Sequence, residues 1–185
     1  MDAFELLLNR SSFGKLEAPA PSKEQMELVY RAALRAPDHA GLRPWKFLVY
    51  QDEHALKKLG ESFLEAKLKQ NPELPEAKQQ KALNMPFRAP MIIIAITEYQ
   101  EHKKVPEVEQ VVSCGCAVHG MLYALQALGF SGYWRTGDLA FNPYLKQSLG
   151  IKPSDEIAGF LYIGTPKVRI NKPDQANPED YFFVQ

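Results

Sequence analysis

Met91-Ile92-Ile93-Ile94-Ala95-Ile96-Thr97, introduced by Pro90, is the stretch on which the fold turns. It is rich in isoleucine and shows no polar alternation, so it reads as a strand buried on both faces. Downstream, Pro106 stands as the first residue of a long helix over about 107–128, closed by Gly129. From Val111 to Leu128 this helix is apolar nearly all round, which puts it in a core, or in a core shared between subunits. A short strand over 132–135 follows, then a short helix capped by Asn142-Pro143 and ended by Gly150, then a strand from Ile157 to Ile163. The tail 166–185 carries three prolines and reads as a segment wrapped over a surface, a neighbour's included.

Upstream, Lys46 to Tyr50 reads as a strand, and 53–69 as a charged helix whose inner face is Leu56, Leu59, Phe63 and Leu68. Residues 76–84 are weakly helical and peripheral. At the start, 2–9 forms a short helix capped by Asp2, with Phe4, Leu7 and Leu8 on one face. Ala18-Pro19-Ala20-Pro21 is an extended connector. Ser22 with Gln25 makes a capping box for a second helix, striped by Met26, Val29, Tyr30, Ala33 and Leu34 and ended by Pro37. About four strands mixed with five or six helices predict an α+β domain.

The 185 residues fit one domain, or one subunit of an intertwined oligomer. Lys+Arg and Asp+Glu each number 22, so there is no overall basic field to collect nucleic acid or an anionic membrane. No signal peptide is visible, and no stretch nears the roughly 18 apolar residues of a membrane span. The two cysteines, Cys114 and Cys116, point to different faces if helical; they read as small buried thiols of a reducing, cytoplasmic protein. No metal-ligand spacing, catalytic triad order, Gly-rich dinucleotide fingerprint or P-loop is present.

Four segments carry residues suited to an anion or a flat ring. Arg10-Ser11-Ser12 offers a guanidinium fork and hydroxyls for a phosphate, although a charged helix end is the plainer reading. Arg35, His39 and Arg43 surround the ordered loop Pro37–Trp45, as anion donors or as caps and solvated charges. Trp134-Arg135-Thr136-Gly137 leaves a strand, with Trp134 able to wall an aromatic ring or to serve as a core residue. Lys167 and Arg169 follow the last strand as a phosphate contact or a solvated basic patch. His54 and His102 have no evident partner, and His119 reads as a satisfied core residue.

Taken together and in order, these pieces resemble the nitroreductase family, in particular its small YdjA-like subgroup. The resemblance runs from Met1-Asp2-Ala3 and Asn9-Arg10-Ser11-Ser12 through Arg35-Ala36-Pro37-Asp38-His39 and Pro44-Trp45. It continues over Pro86-Phe87-Arg88-Ala89-Pro90, His102-Lys103, Val105-Pro106, Gly115-Cys116-Ala117-Val118, Gly129-Phe130 and Trp134-Arg135, and ends at Gly159 to Pro166. It implies a nitroreductase-like α+β fold, with a central, mainly antiparallel sheet flanked by helices. It implies one FMN-binding domain over 1–185 in an intertwined homodimer, with FMN at the subunit interface. Arg10, Ser11 and Ser12 would bind FMN from one chain, together with Trp134, Arg135, Thr136 and the later Arg169. Arg35 and His39 would reach it from the partner, and 124–129 would lie near the nicotinamide.

The implied activity is transfer of reducing equivalents from NADH or NADPH, through FMN, to a small nitro-aromatic, quinone or similar acceptor in ping-pong fashion. No side chain is assigned as catalytic acid or base; Arg10 is the first candidate to face the charge that develops at flavin N1 and O2. Competing readings are a flavin storage or sensing protein, a dehalogenase or flavin-fragmenting relative, and a non-flavin interaction domain. The chain departs from the family at Asp38, Gly41 and Arg43, where many members have serine, asparagine and glutamine.

Overall fold

The computed structural model describes residues 2–169 and 176–185. Asp2 caps α1 (Ala3–Asn9) through the Glu5 N–H. A two-residue strand β1 (Leu16–Glu17) then leads to α2 (Lys23–Ala33), which is opened by the expected Ser22–Gln25 capping box. The chain continues through β2 (Trp45–Tyr50), α3 (Glu53–Gln70), α4 (Glu76–Asn84), β3 (Met91–Thr97) and α5 (Glu107–Ala127). It ends through β4 (Ser131–Arg135), α6 (Pro143–Ser148) and β5 (Glu156–Pro166), followed by a single helical turn at Pro178–Asp180. The expected α+β layout therefore holds, with β1 added.

The sheet order is β1-β5-β3-β2, with β4 also on β5, and each strand pair among the described residues is antiparallel. Both β3 and β4 pair with residues 160–163 of β5, so they must lie on its two opposite edges. Every residue of β3 is buried. Ile92, Ile94 and Ile96 enter a core formed with Leu56, Leu59 and Phe63 of α3 and Leu145 of α6. Met91, Ile93 and Ala95 enter a second core with Met26 and Val29 of α2 and Ala117, Val118, Met121 and Leu125 of α5. Side chains alternate across a strand, so a run with no polar position can exist only between two apolar layers.

Several details differ from expectation. Pro106 has extended backbone and sits at the cap of α5, with Glu107 first inside the helix. α2 stops at Ala33, so Arg35 lies beyond its last turn. Ala66 completes the inner face of α3, while Leu68 is only half-buried. His119 is exposed, edge-on to Tyr123, because it points away from the α2 side of α5. By length and composition α5 could cross a membrane, yet one side of it is packed in the second core. In the tail, 170–175 lie outside the described residues, and Tyr181 to Val184 are exposed on this chain.

Phe63 sits almost wholly out of water and meets Phe160 edge-on at 5.4 Å between ring centroids. Phe63→Ala should lower stability by about 3–5 kcal/mol through lost burial and a residual cavity, read as a reduced denaturation midpoint with an unchanged m-value.

Candidate functional site

α5 sets the distances between the candidate residues. Near its C-terminus, the Ser11 N–H donates to Gln126 Oε1 at 3.3 Å, and the Tyr123 hydroxyl reaches the Leu7 carbonyl at 3.5 Å. Arg10 Nη1 donates to Ser12 Oγ at 3.2 Å, and Arg169 Nη2 donates to the Gly129 carbonyl. Arg10, Ser11, Ser12 and Arg169 are thus gathered at one end of the helix. The C-terminal carbonyls there carry partial negative charge, and Arg169 offsets it while leaving further N–H groups to offer.

His39 lies at the other end. Its Nδ1 is 2.6 Å from Glu109 Oε2 in the first turn of α5. Glu109 and Gln126 are separated by about 25 Å of helix at ~1.5 Å per residue, so a single flavin ring cannot touch both groups within one chain. Arg35 is exposed just past α2, where its N–H donates to the Ala32 carbonyl.

The loop after α2 is held in an unusual path. Ala40, Gly41 and Arg43 all have positive φ, at 62°, 67° and 50°. Two of these are not glycine and carry a local cost of order 1–2 kcal/mol each. Asp38 Oδ2 accepts the Arg43 N–H at 2.7 Å and closes the loop on itself. The Arg43 side chain is exposed and makes no hydrogen bond or ion pair among the described residues.

The Trp134-Arg135-Thr136 segment is split by the sheet. Trp134 turns toward α5: its indole N–H donates to the Ala158 carbonyl at 3.1 Å, and its rim lies over Gly115. It remains 36% exposed. Arg135 emerges on the opposite face with Tyr133, its guanidinium carbon 5.6 Å from that ring's centroid. There Arg135 and Thr136 line a cavity of about 180 Å³ with Lys67 of α3, Lys81 of α4, Asp138 and an apolar wall that includes Phe63, Phe160 and Tyr162. Arg135 Nη1 is buried with no hydrogen-bond partner among the described residues. Burial pushes the Tyr162 hydroxyl up, and Arg135 and Arg88 pull it back.

Trp134 and Arg135 therefore cannot present their side chains to one face of a ring; a ligand meeting both must lie across the edge of the sheet. Lys67 and Lys81 escaped the reading of the sequence. In helices with many charges they look like any solvated lysine, and only the packing of α4 on α3 brings them to the cavity that Arg135 lines. Cys116 lines a separate apolar hollow beside His39, whereas Cys114 is fully buried and its thiol is pushed up to about 11 by burial.

The model of the nitroreductase family matches residues 7–165 of the chain. "Putative NAD(P)H nitroreductase YdjA" of Escherichia coli (strain K12) is 42% identical over 189 residues, covering 98% of this chain and all of that relative. A second relative, from Haemophilus influenzae, is 41% identical over 89% of each chain. Among solved structures, a nitroreductase-like family protein from Bacillus cereus superposes with a TM-score of 0.85 at 21% identity, covering 100% of this chain and 96% of its own. A nitroreductase with bound FMN from Bacteroides fragilis superposes at 0.72 and 17% identity over both chains in full.

Gly159 is what lets Trp134 take its position. Its φ is 152°, and a Cβ there would stand 2.6 Å from Trp134 Cδ1 and 2.8 Å from the Arg135 carbonyl. Gly159→Ala should cost at least the ~1–3 kcal/mol of an overpacked site and change the emission of Trp134. An unaltered spectrum together with an unaltered melting curve would contradict the placement of that indole.

Proposed function

The chain belongs to the nitroreductase family of oxidoreductases, and from that premise we propose that it is an FMN-dependent NAD(P)H oxidoreductase acting on nitro-aromatics, quinones or similar electron-poor acceptors. FMN, when bound, supplies the hydride chemistry by taking reducing equivalents from NADH or NADPH and yielding them to the acceptor in alternation. One FMN-binding domain over 1–185, in a cytoplasmic protein with reduced thiols, is part of the same reading.

The observation that carries it within this chain is Arg135, whose buried Nη1 has no hydrogen-bond partner among the described residues. A buried donor without a partner costs about 1–3 kcal/mol, and the same residue lines a cavity with Lys67, Lys81, Asp138 and aromatic walls. A flat group with a polar edge would suit such a lining. The developing charge of a reduced pyrimidine edge would meet Arg135, with Lys67 and Lys81 behind it. This reassigns a role that the sequence alone suggested for Arg10. Arg10, Ser11, Ser12 and Arg169 instead suit the phosphate, whose near-dianion takes charge-assisted bonds from guanidinium and hydroxyl groups. Trp134 would wall the ring, and Thr136 would add a hydroxyl.

Arg35 and His39 join this set only from a second copy of the chain. Two α5 helices set antiparallel would bring Glu109 and His39 of one beside the Gln126 end of the other. Exposed apolar side chains support such a pairing: Val108 and Val112 on α5, Phe4, Leu7 and Leu8 on α1, and Tyr181, Phe182 and Phe183 in the tail. No acid or base from the protein is assigned to the reaction.

Purified protein should be yellow and should bleach with NADH or NADPH under anaerobic conditions. Arg10→Ala and Arg135→Ala should each weaken FMN roughly 10- to 100-fold, the worth of a hydrogen bond to a charged group. Retention of the pigment at wild-type affinity in both variants would overturn the assignment. Gel filtration should return a dimer at micromolar concentration, and a monomer that still holds FMN tightly would remove the two-chain site.

A further inference from the structure

The contact between His39 and Glu109 links two segments 70 positions apart, and the activity proposed above does not use Glu109. His39 Nδ1 stands 2.6 Å from Glu109 Oε2, with the two side chains 55% and 45% exposed. Surface pairs of this exposure add little to stability. Both partners, however, are mounted on anchored backbone. Gln110, next to Glu109, is buried; its side chain accepts the Gln100 N–H at 2.8 Å and returns its own N–H to the Gln100 carbonyl at 2.9 Å. On the other side, the loop that begins at Asp38-His39 is closed by the Asp38–Arg43 bond and by the Trp45 N–H on the Arg43 carbonyl at 2.8 Å. A carboxylate on a fixed helix turn, meeting an imidazole on a fixed loop, sets the ring's direction and its tautomer.

We propose that Glu109 is the positioning residue for His39: it takes the Nδ1–H and so commits Nε2 as the single ring atom offered to the flavin. The inference rests on the FMN reading. With Nδ1–H held by the carboxylate, the neutral ring presents Nε2 as an acceptor, and the protonated ring presents it as a donor. An imidazole lacking this partner would divide its population between two tautomers and several rotamers. Ligand affinity would then fall by the fraction held wrongly. Glu109 touches neither FMN nor acceptor in this account and acts only through His39.

The test combines a double-mutant cycle on FMN affinity with the ¹⁵N spectrum of the His39 ring, using Glu109→Gln, His39→Asn, the double variant and Glu107→Gln. Glu107→Gln removes an acid from the same helix turn without touching His39, and should leave affinity within about twofold, as surface substitutions do. Glu109→Gln should weaken FMN about tenfold, the scale on which carboxylate partners of functional histidines act, with the melting temperature unchanged. In the His39→Asn background the same substitution should change affinity by less than about twofold, since the coupled partner is gone. In the apo protein the ¹⁵N shifts should report Nδ1–H for His39 in wild type and a tautomer mixture in Glu109→Gln. Equal losses in both backgrounds, or identical ring shifts in wild type and Glu109→Gln, overturn the proposal. Wild-type protein that ignores FMN would sink the flavin reading instead, and the ring spectrum would still decide the role of Glu109.

Discussion

The structure depends on one strand being apolar on both faces. β3 carries Ile92, Ile94 and Ile96 into the core under α3 and α6, and Met91, Ile93 and Ala95 into the core under α2 and α5. Neither core could form alone around a strand with one polar face, because the other layer would then rest on groups that need water. β5 repeats the division, with Phe160 and Tyr162 on one side and Leu161 and Ile163 on the other. The sheet is thus a wall between two apolar layers.

That wall governs the candidate site. β4 pairs along β5 and inherits its alternation, so Gly132 and Trp134 face α5 while Tyr133 and Arg135 face α3. One tripeptide therefore serves two environments at the rim of the sheet: an indole held by the Ala158 carbonyl, and a guanidinium whose Nη1 has no partner among the described residues. α5 adds the second constraint. It is 21 residues long, with candidate donors at each end. On the proposed FMN reading these donors serve one site, so the helix length would leave a single chain with only part of it, and a twofold arrangement would be the simplest geometry to join the parts.

The elements with a local physical cause were legible in the sequence. The Ser22–Gln25 box, the Asp2 and Asn142 caps, the glycines that close α5 and α6, and the unbroken apolar run of β3 all follow from short-range rules. β1 was not legible, because Leu16–Glu17 is two residues long and exists only where Lys15 and Lys167 meet across the chain termini of the sheet. In the site, the end-of-helix cluster at Arg10 could be read as a motif, whereas Lys67, Lys81 and Glu109 could not. Each is a charged residue on a charged helix, and what distinguishes it is a neighbour supplied by tertiary packing. Asp38 was visible in the sequence, but its bond to the Arg43 N–H required the loop's path.

On the proposed reading, α1 brings stability and ligand binding together. None of its seven residues is buried, and Phe4 and Leu8 are each 74% exposed. A helix this short is marginal in water even with a good cap, so α1 cannot owe its order to propensity, and among the described residues few hydrogen bonds tie it to α5: the Tyr123 hydroxyl on the Leu7 carbonyl and, just past its end, the Ser11 N–H on Gln126. Yet Arg10 follows directly from its last turn. If a second copy covers the Phe4–Leu8 face, the apolar surface it buries orders the helix that aims Arg10. An anion held by Arg10 and Ser12 then stabilises the same segment in return. Each event lowers the ordering cost of the other, so on this reading assembly and cofactor capture are thermodynamically linked. The link would arise because the arginine is carried by an element too small to be stable by itself.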